Sequence, residues 1–114
     1  MTKEELKILL KDFRNIQEQL KYLKELPDGQ DILQTTFAEK NKTVRLIECA
    51  FNVLDKKEQF IIENHLINHE TWPETSQKVL TCFGTECFRS DRTLKRIQNR
   101  ALEKMIIFIE EVSI

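Results

Sequence analysis

At 114 residues the chain is long enough for one domain with a modest core, and its 32% charged and 40% hydrophobic residues suit a folded protein with well-solvated helix surfaces. Two Gly and two Pro are too few for a β-rich fold built on tight turns, and no apolar run approaches the roughly 20 residues of a membrane span or forms a signal-type apolar region. The expectation is an all-α, cytoplasmic protein with no membrane partner, whose three cysteines, Cys49, Cys82 and Cys87, are free thiols.

Five helical segments are predicted. In the first, Leu6, Leu9, Phe13, Ile16, Leu20 and Leu23 alternate at steps of three and four, which fits the seam of three heptads. Pro27-Asp28-Gly29 ends that segment. A second helix runs from about Asp31 to Val53 with a stripe of Leu33, Phe37, Val44, Ile47, Phe51 and Leu54, interrupted by the polar Lys40. Two readings of this N-terminal segment, residues 1–53, stay open. It is an intramolecular helical hairpin, or it is a coiled coil through which two copies form a homodimer.

Residues 54–114 form the second unit. Asp55 with Glu58 makes a capping box for a helix carrying Phe60, Ile61, Ile62, Leu66 and Ile67. Thr71 caps the next helix, with Pro73 in its first turn and Glu74 behind it, and Trp72 anchors that helix start. Val79, Leu80 and Phe83 give it an apolar side. After an irregular stretch beginning at Gly84, Ser90 caps a last helix reaching to about Val112. Cys49, between apolar positions, and Cys82, beside apolar neighbours, are expected to be packed.

Charge is unevenly distributed. Residues 55–88 carry three basic and six acidic groups, whereas residues 89–104 carry six basic and two acidic, in a chain of net charge −1. A polyanion therefore meets one local positive patch. On the last helix Leu94, Ile97, Ala101, Met105, Phe108 and Val112 share a face, and Arg92, Lys95, Arg96, Asn99 and Arg100 lie away from it. Arg and Asn can form bidentate hydrogen bonds to base edges in the major groove, and Arg and Lys can neutralise phosphates. Two short capped helices followed by a basic one is the layout of a helix-turn-helix.

LDKKEQFIIENHL, TWPETSQKV and SDRTLKRIQNRALEKM, in that order, resemble region 4 of bacterial housekeeping-type sigma factors. With a helical pair in front, the chain is similar to the small sigma-region-4-like phage transcriptional regulators of the ArpU and RinA type. The resemblance covers residue 54 to about residue 106. It implies a three-helix DNA-binding unit, double-stranded DNA as partner and a possible contact with RNA polymerase. Base edges would be met by Asp91, Arg92, Lys95 and Arg96, and phosphates by Arg89, Ser90, Thr93 and Arg100, with Lys56 and Lys57 as weaker phosphate contacts. Thr71 and Ser90 stand nineteen positions apart, further than the sigma pattern places the corresponding residues. The second helix or the turn after it must take up the difference.

His65, His69, Cys82 and Cys87 form a competing zinc-ligand set, H-x3-H followed by C-x4-C. A free Cys among apolar neighbours is more often a small core residue, so the expectation is no metal and no cofactor. No phosphate loop, H-E-x-x-H or G-x-S-x-G occurs, which argues against an enzyme. The expected function is sequence-specific DNA-binding transcription regulation. The alternatives are a small-terminase-like DNA-recognition subunit of phage packaging and a protein-binding module docking on RNA polymerase.

Overall fold

The computed structural model describes residues 1–25, 31–84 and 91–113, the second of these stretches without the side chains of residues 31–34. Every regular element among them is helical: α1 (Lys3–Lys11), α2 (Phe13–Lys24), α3 (Asp31–Asn52), α4 (Lys56–Ile61), α5 (Trp72–Phe83) and α6 (Asp91–Val112), with α4 running on into a π-helical segment, Ile62–Ile67. No described helix is long and apolar enough to cross a membrane. The turn expected at Pro27-Asp28-Gly29, the side chain of the stripe residue Leu33 and the cap at Ser90 lie outside what is described.

The predicted first helix is in fact two. Asp12 leaves helical geometry at φ −95° and ψ 0°, and its Oδ1 accepts a hydrogen bond from Asn15 Nδ2 at 3.1 Å. Leu10 lies in the core in place of Leu9, which is only partly covered.

The heptad seam is consumed within the chain. Leu6, Phe13, Ile16 and Leu20 are buried in one cluster with Val44, Ile47 and Ala50 of α3, Leu54, the π-segment residues Ile62, Leu66 and Ile67, and Ala101, Leu102, Met105 and Ile109 of α6. Of the predicted seam, Leu9 and Leu23 are only partly covered. The same cluster joins residues 1–53 to residues 54–114, because α6 packs on α1 and α3 as well as on α4.

The expected caps form. Asp55 Oδ1 accepts the Glu58 N–H at 2.8 Å, and Glu58 Oε1 accepts the Asp55 N–H at 3.0 Å. Glu58 is almost fully buried, and Lys104 of α6 donates to the same oxygen at 2.8 Å, so the capping box also ties α4 to α6. That hydrogen bond to Glu58 holds the Lys104 ammonium above its ordinary value. At α5, Thr71 Oγ1 accepts the Glu74 N–H at 3.3 Å and Pro73 occupies the first turn.

The π-helical segment was not foreseen. Asn68 N–H donates to Glu63 O, five residues back, at 2.8 Å, and buried Asn64 donates through Nδ2 to Phe60 O at 2.7 Å. The extra residue in the turn re-aims the side chains after it. His69 then adopts φ +60°, a left-handed conformation that His tolerates better than bulkier residues.

Two cysteine expectations fail. Cys49 and Cys82 are exposed free thiols. The inner stripe of α3 runs through Val44, Ile47 and Ala50, and Cys49 falls on the opposite side of the helix, two residues after Ile47. On α5 the buried residues are Thr75, Ser76 and Val79, whereas Cys82, in the last turn before Gly84, is exposed although it follows Val79 by one turn.

Candidate nucleic-acid interface

The candidate surface is held up by a second, smaller cluster. Ile61 of α4, Val79 of α5 and Leu94 of α6 are fully buried together, with Phe60, Trp72, Phe83 and Ile97 packed around them. Phe60 and Phe83 meet edge to face at 5.2 Å between centroids. Ser76 Oγ on α5 donates to Asp91 Oδ1 at 2.9 Å, which fixes the first residue of α6 against α5. α5 itself runs for 12 residues and ends at Gly84, whose φ of +82° favours glycine. α5 thus occupies 12 of the residues between Thr71 and Ser90.

α6 buries Leu94, Gln98, Ala101, Leu102, Met105 and Ile109. This stripe is turned by about one residue from the predicted one. Ile97 and Phe108 are only partly covered, and Val112 is 53% exposed. The turn does not reach the basic side: Arg92, Lys95, Arg96, Asn99 and Arg100 are all exposed. Among the described residues no hydrogen bond or ion pair holds any of these five side chains. Arg92, Arg96 and Arg100 follow at one-turn intervals along the helix. Asp91 differs, because one carboxylate oxygen already serves Ser76. Thr93 is half-covered and has an interaction of its own. Arg89 and Ser90 lie outside the described residues. Of the secondary candidates at the start of α4, Lys56 is exposed and Lys57 half-covered.

Beside Lys95 and Asn99 is a feature that spacing along the chain did not reveal. Lys7 and Lys11 of α1, with His65, Leu66, Trp72, Lys95, Gln98 and Asn99, line a pocket of about 260 Å³. The His65 ring stacks on Trp72 with centroids 3.6 Å apart and planes 24° from parallel. Its Nδ1–H donates to Glu70 O at 2.8 Å, which places the lone pair on Nε2. His69 Nε2–H donates to Lys11 O at 2.6 Å. The two imidazoles thus bind different backbone carbonyls. With Cys82 exposed, the described residues contain no group of three or more His, Cys, Asp or Glu side chains able to hold a metal, and Cys87 lies outside them.

Burial lowers the His65 pKa from its ordinary 6.5; the Glu70 hydrogen bond opposes this, and Lys11, Lys7 and Lys95 add to it. Between the folded-state value and 6.5 the unfolded chain binds more protons. The contribution of His65 to stability is therefore complete above 6.5 and is lost as pH falls toward the folded-state value. The urea midpoint should drop between about pH 7.5 and 5.5, and His65→Gln should flatten that drop. An equal drop in the variant would contradict this account of the histidine.

Compared with family models, curated proteins and solved structures, the chain finds no match in any of the three.

Proposed function

We propose that the protein is a sequence-specific double-stranded-DNA-binding transcription regulator of the sigma-region-4-like phage type, with α6 entering the major groove N-terminus first. The observation that carries this reading is the division of α6 into two faces. One is locked by Leu94, Gln98, Ala101, Leu102 and Met105, and the other presents Arg92, Lys95, Arg96, Asn99 and Arg100 to solvent. A rigid helix with free, fork-shaped donors at one-turn intervals is suited to reading base edges. The rear half of the basic segment has a different part: Lys104 is engaged by Glu58, so the groove-facing set ends at Arg100.

Arg100, furthest from the N-terminus of the helix among these residues, is assigned to the backbone. Arg100→Ala should weaken specific and scrambled duplexes alike and reduce the slope of log affinity against log salt by about one, the signature of one lost phosphate contact. The check is fluorescence anisotropy with both duplexes across a salt series. An unchanged slope would remove Arg100 from the interface, and no duplex binding by the parent protein at low salt would remove the proposal.

A further inference from the structure

The pocket between α1, the π-helical segment and α6 is not explained by base reading. Its positive groups come from opposite ends of the chain. Lys7 and Lys11 are one turn apart on α1, and Lys95 faces them from α6. Like charges at this spacing repel each other, and a third lysine adds to that. Lys7 has a neighbour in Glu4 at 3.4 Å. Among the described residues, Lys11 and Lys95 have no acidic partner.

A second observation is independent of charge. Gln98 is 6% exposed and lines this pocket, and its Oε1 has no hydrogen-bond partner. A buried amide left unsatisfied is costly, and its cost is removed by a ligand or water with complementary groups. Oε1 only accepts, so the amide serves a phosphate through its Nε2–H donors, which a rotation about the terminal torsion can place where Oε1 now lies. Asn99 adds a second amide at the rim. The volume falls just below the roughly 300 Å³ at the lower end of small-molecule sites, and leaves room for a tetrahedral anion together with its hydration water.

We propose that this pocket is a phosphate-binding site, with Lys7, Lys11 and Lys95 supplying the charge and the Gln98 and Asn99 amides the directional hydrogen bonds. The phosphate group is that of a DNA backbone lying across α1 and α6, or that of a small phosphorylated compound. The chemistry is the same for both. The inference does not depend on base reading by α6, since inorganic anions probe it alone.

Trp72, the one tryptophan of the chain, lines the pocket and reports on it. Its fluorescence is followed while phosphate and then pyrophosphate replace chloride at constant ionic strength. The expected result is a saturable change that Lys11→Gln weakens by about tenfold, the worth of one charge-assisted hydrogen bond, and that Arg92→Ala leaves unaltered. Lys7→Gln is the second variant. Both side chains point to solvent or the pocket rim, and thermal melting confirms that each variant folds.

Duplex binding by the same variants identifies the source. Weaker duplex binding by Lys11→Gln, with a salt slope reduced by about one, assigns the site to a backbone phosphate. Unchanged duplex binding with lost pyrophosphate binding assigns it to a free phosphorylated compound. Saturable pyrophosphate binding by a protein that binds no duplex would leave the pocket standing while the DNA proposal falls. A change in fluorescence that never saturates, or that Lys7→Gln and Lys11→Gln leave intact, overturns the inference even if duplex binding is strong.

Discussion

Replacing Leu102 with Ala is expected to destabilise the whole chain by about 3 kcal/mol, within the usual range for emptying a buried leucine site. Leu102 is fully buried in the cluster that α6 shares with α1, α2, α3 and the π-helical segment. A cavity there removes apolar contacts from both halves of the sequence at once. The N-terminal helices and the α4–α6 unit should therefore melt together, at one urea midpoint seen by circular dichroism and by Trp72 fluorescence alike. Two separated transitions, with only one shifted by Leu102→Ala, would mean that the shared core does not couple the halves. The same reasoning applies to Phe13 and Leu20. A glutamate at either position should unfold the protein rather than release a monomer from a dimer, because both side chains are already buried within the chain.

Loss of Arg92 or Arg96 should have the largest effect on recognition. The two lie one turn apart on the exposed side of α6, toward its N-terminus, and neither side chain is engaged by a described neighbour. A good bidentate contact to a base edge is worth roughly 1–3 kcal/mol of discrimination, so each alanine should reduce the preference for a specific duplex by about five- to 150-fold. The loss differs in kind from that at Arg100. Removing a base reader relaxes preference at one or two positions of the site, whereas removing a phosphate contact lowers affinity for every sequence. If both arginines can be removed and the ratio of specific to scrambled affinity stays constant, α6 does not read sequence.

Much of the helical frame was legible in the residues because local chemistry decides it. Asp55 with Glu58, and Thr71 with Glu74, satisfy amides within one turn, so no knowledge of the rest of the chain is needed to place those helix starts. The extent of α3 and the exposure of the basic side of α6 follow from periodicity in the same way. What periodicity lacks is phase to better than one residue. Gln98, polar yet buried, hides the true inner line of α6, which passes through Leu102 and Ile109 rather than Phe108 and Val112. The inner line of α1 likewise passes through Leu6 and Leu10 rather than Leu9.

The pocket was not legible at all. Lys7 and Lys11 are not among the seam residues of the predicted heptads, and only the packing of α1 on α6 places them beside Lys95. His65 and His69 invited a zinc reading because they stand at ligand spacing on a regular helix. The π-helical segment ends that regularity, turning one ring onto Trp72 and placing the other within reach of Lys11 O.

The central claim is that α6 selects a DNA sequence through its exposed polar side. Selection of bound molecules from a random duplex library measures this without presuming a target. The account predicts one enriched motif for the parent protein, with strong preference at adjacent positions that Arg92→Ala and Arg96→Ala each relax. Duplexes recovered without any enriched motif, despite salt-sensitive binding, would contradict it.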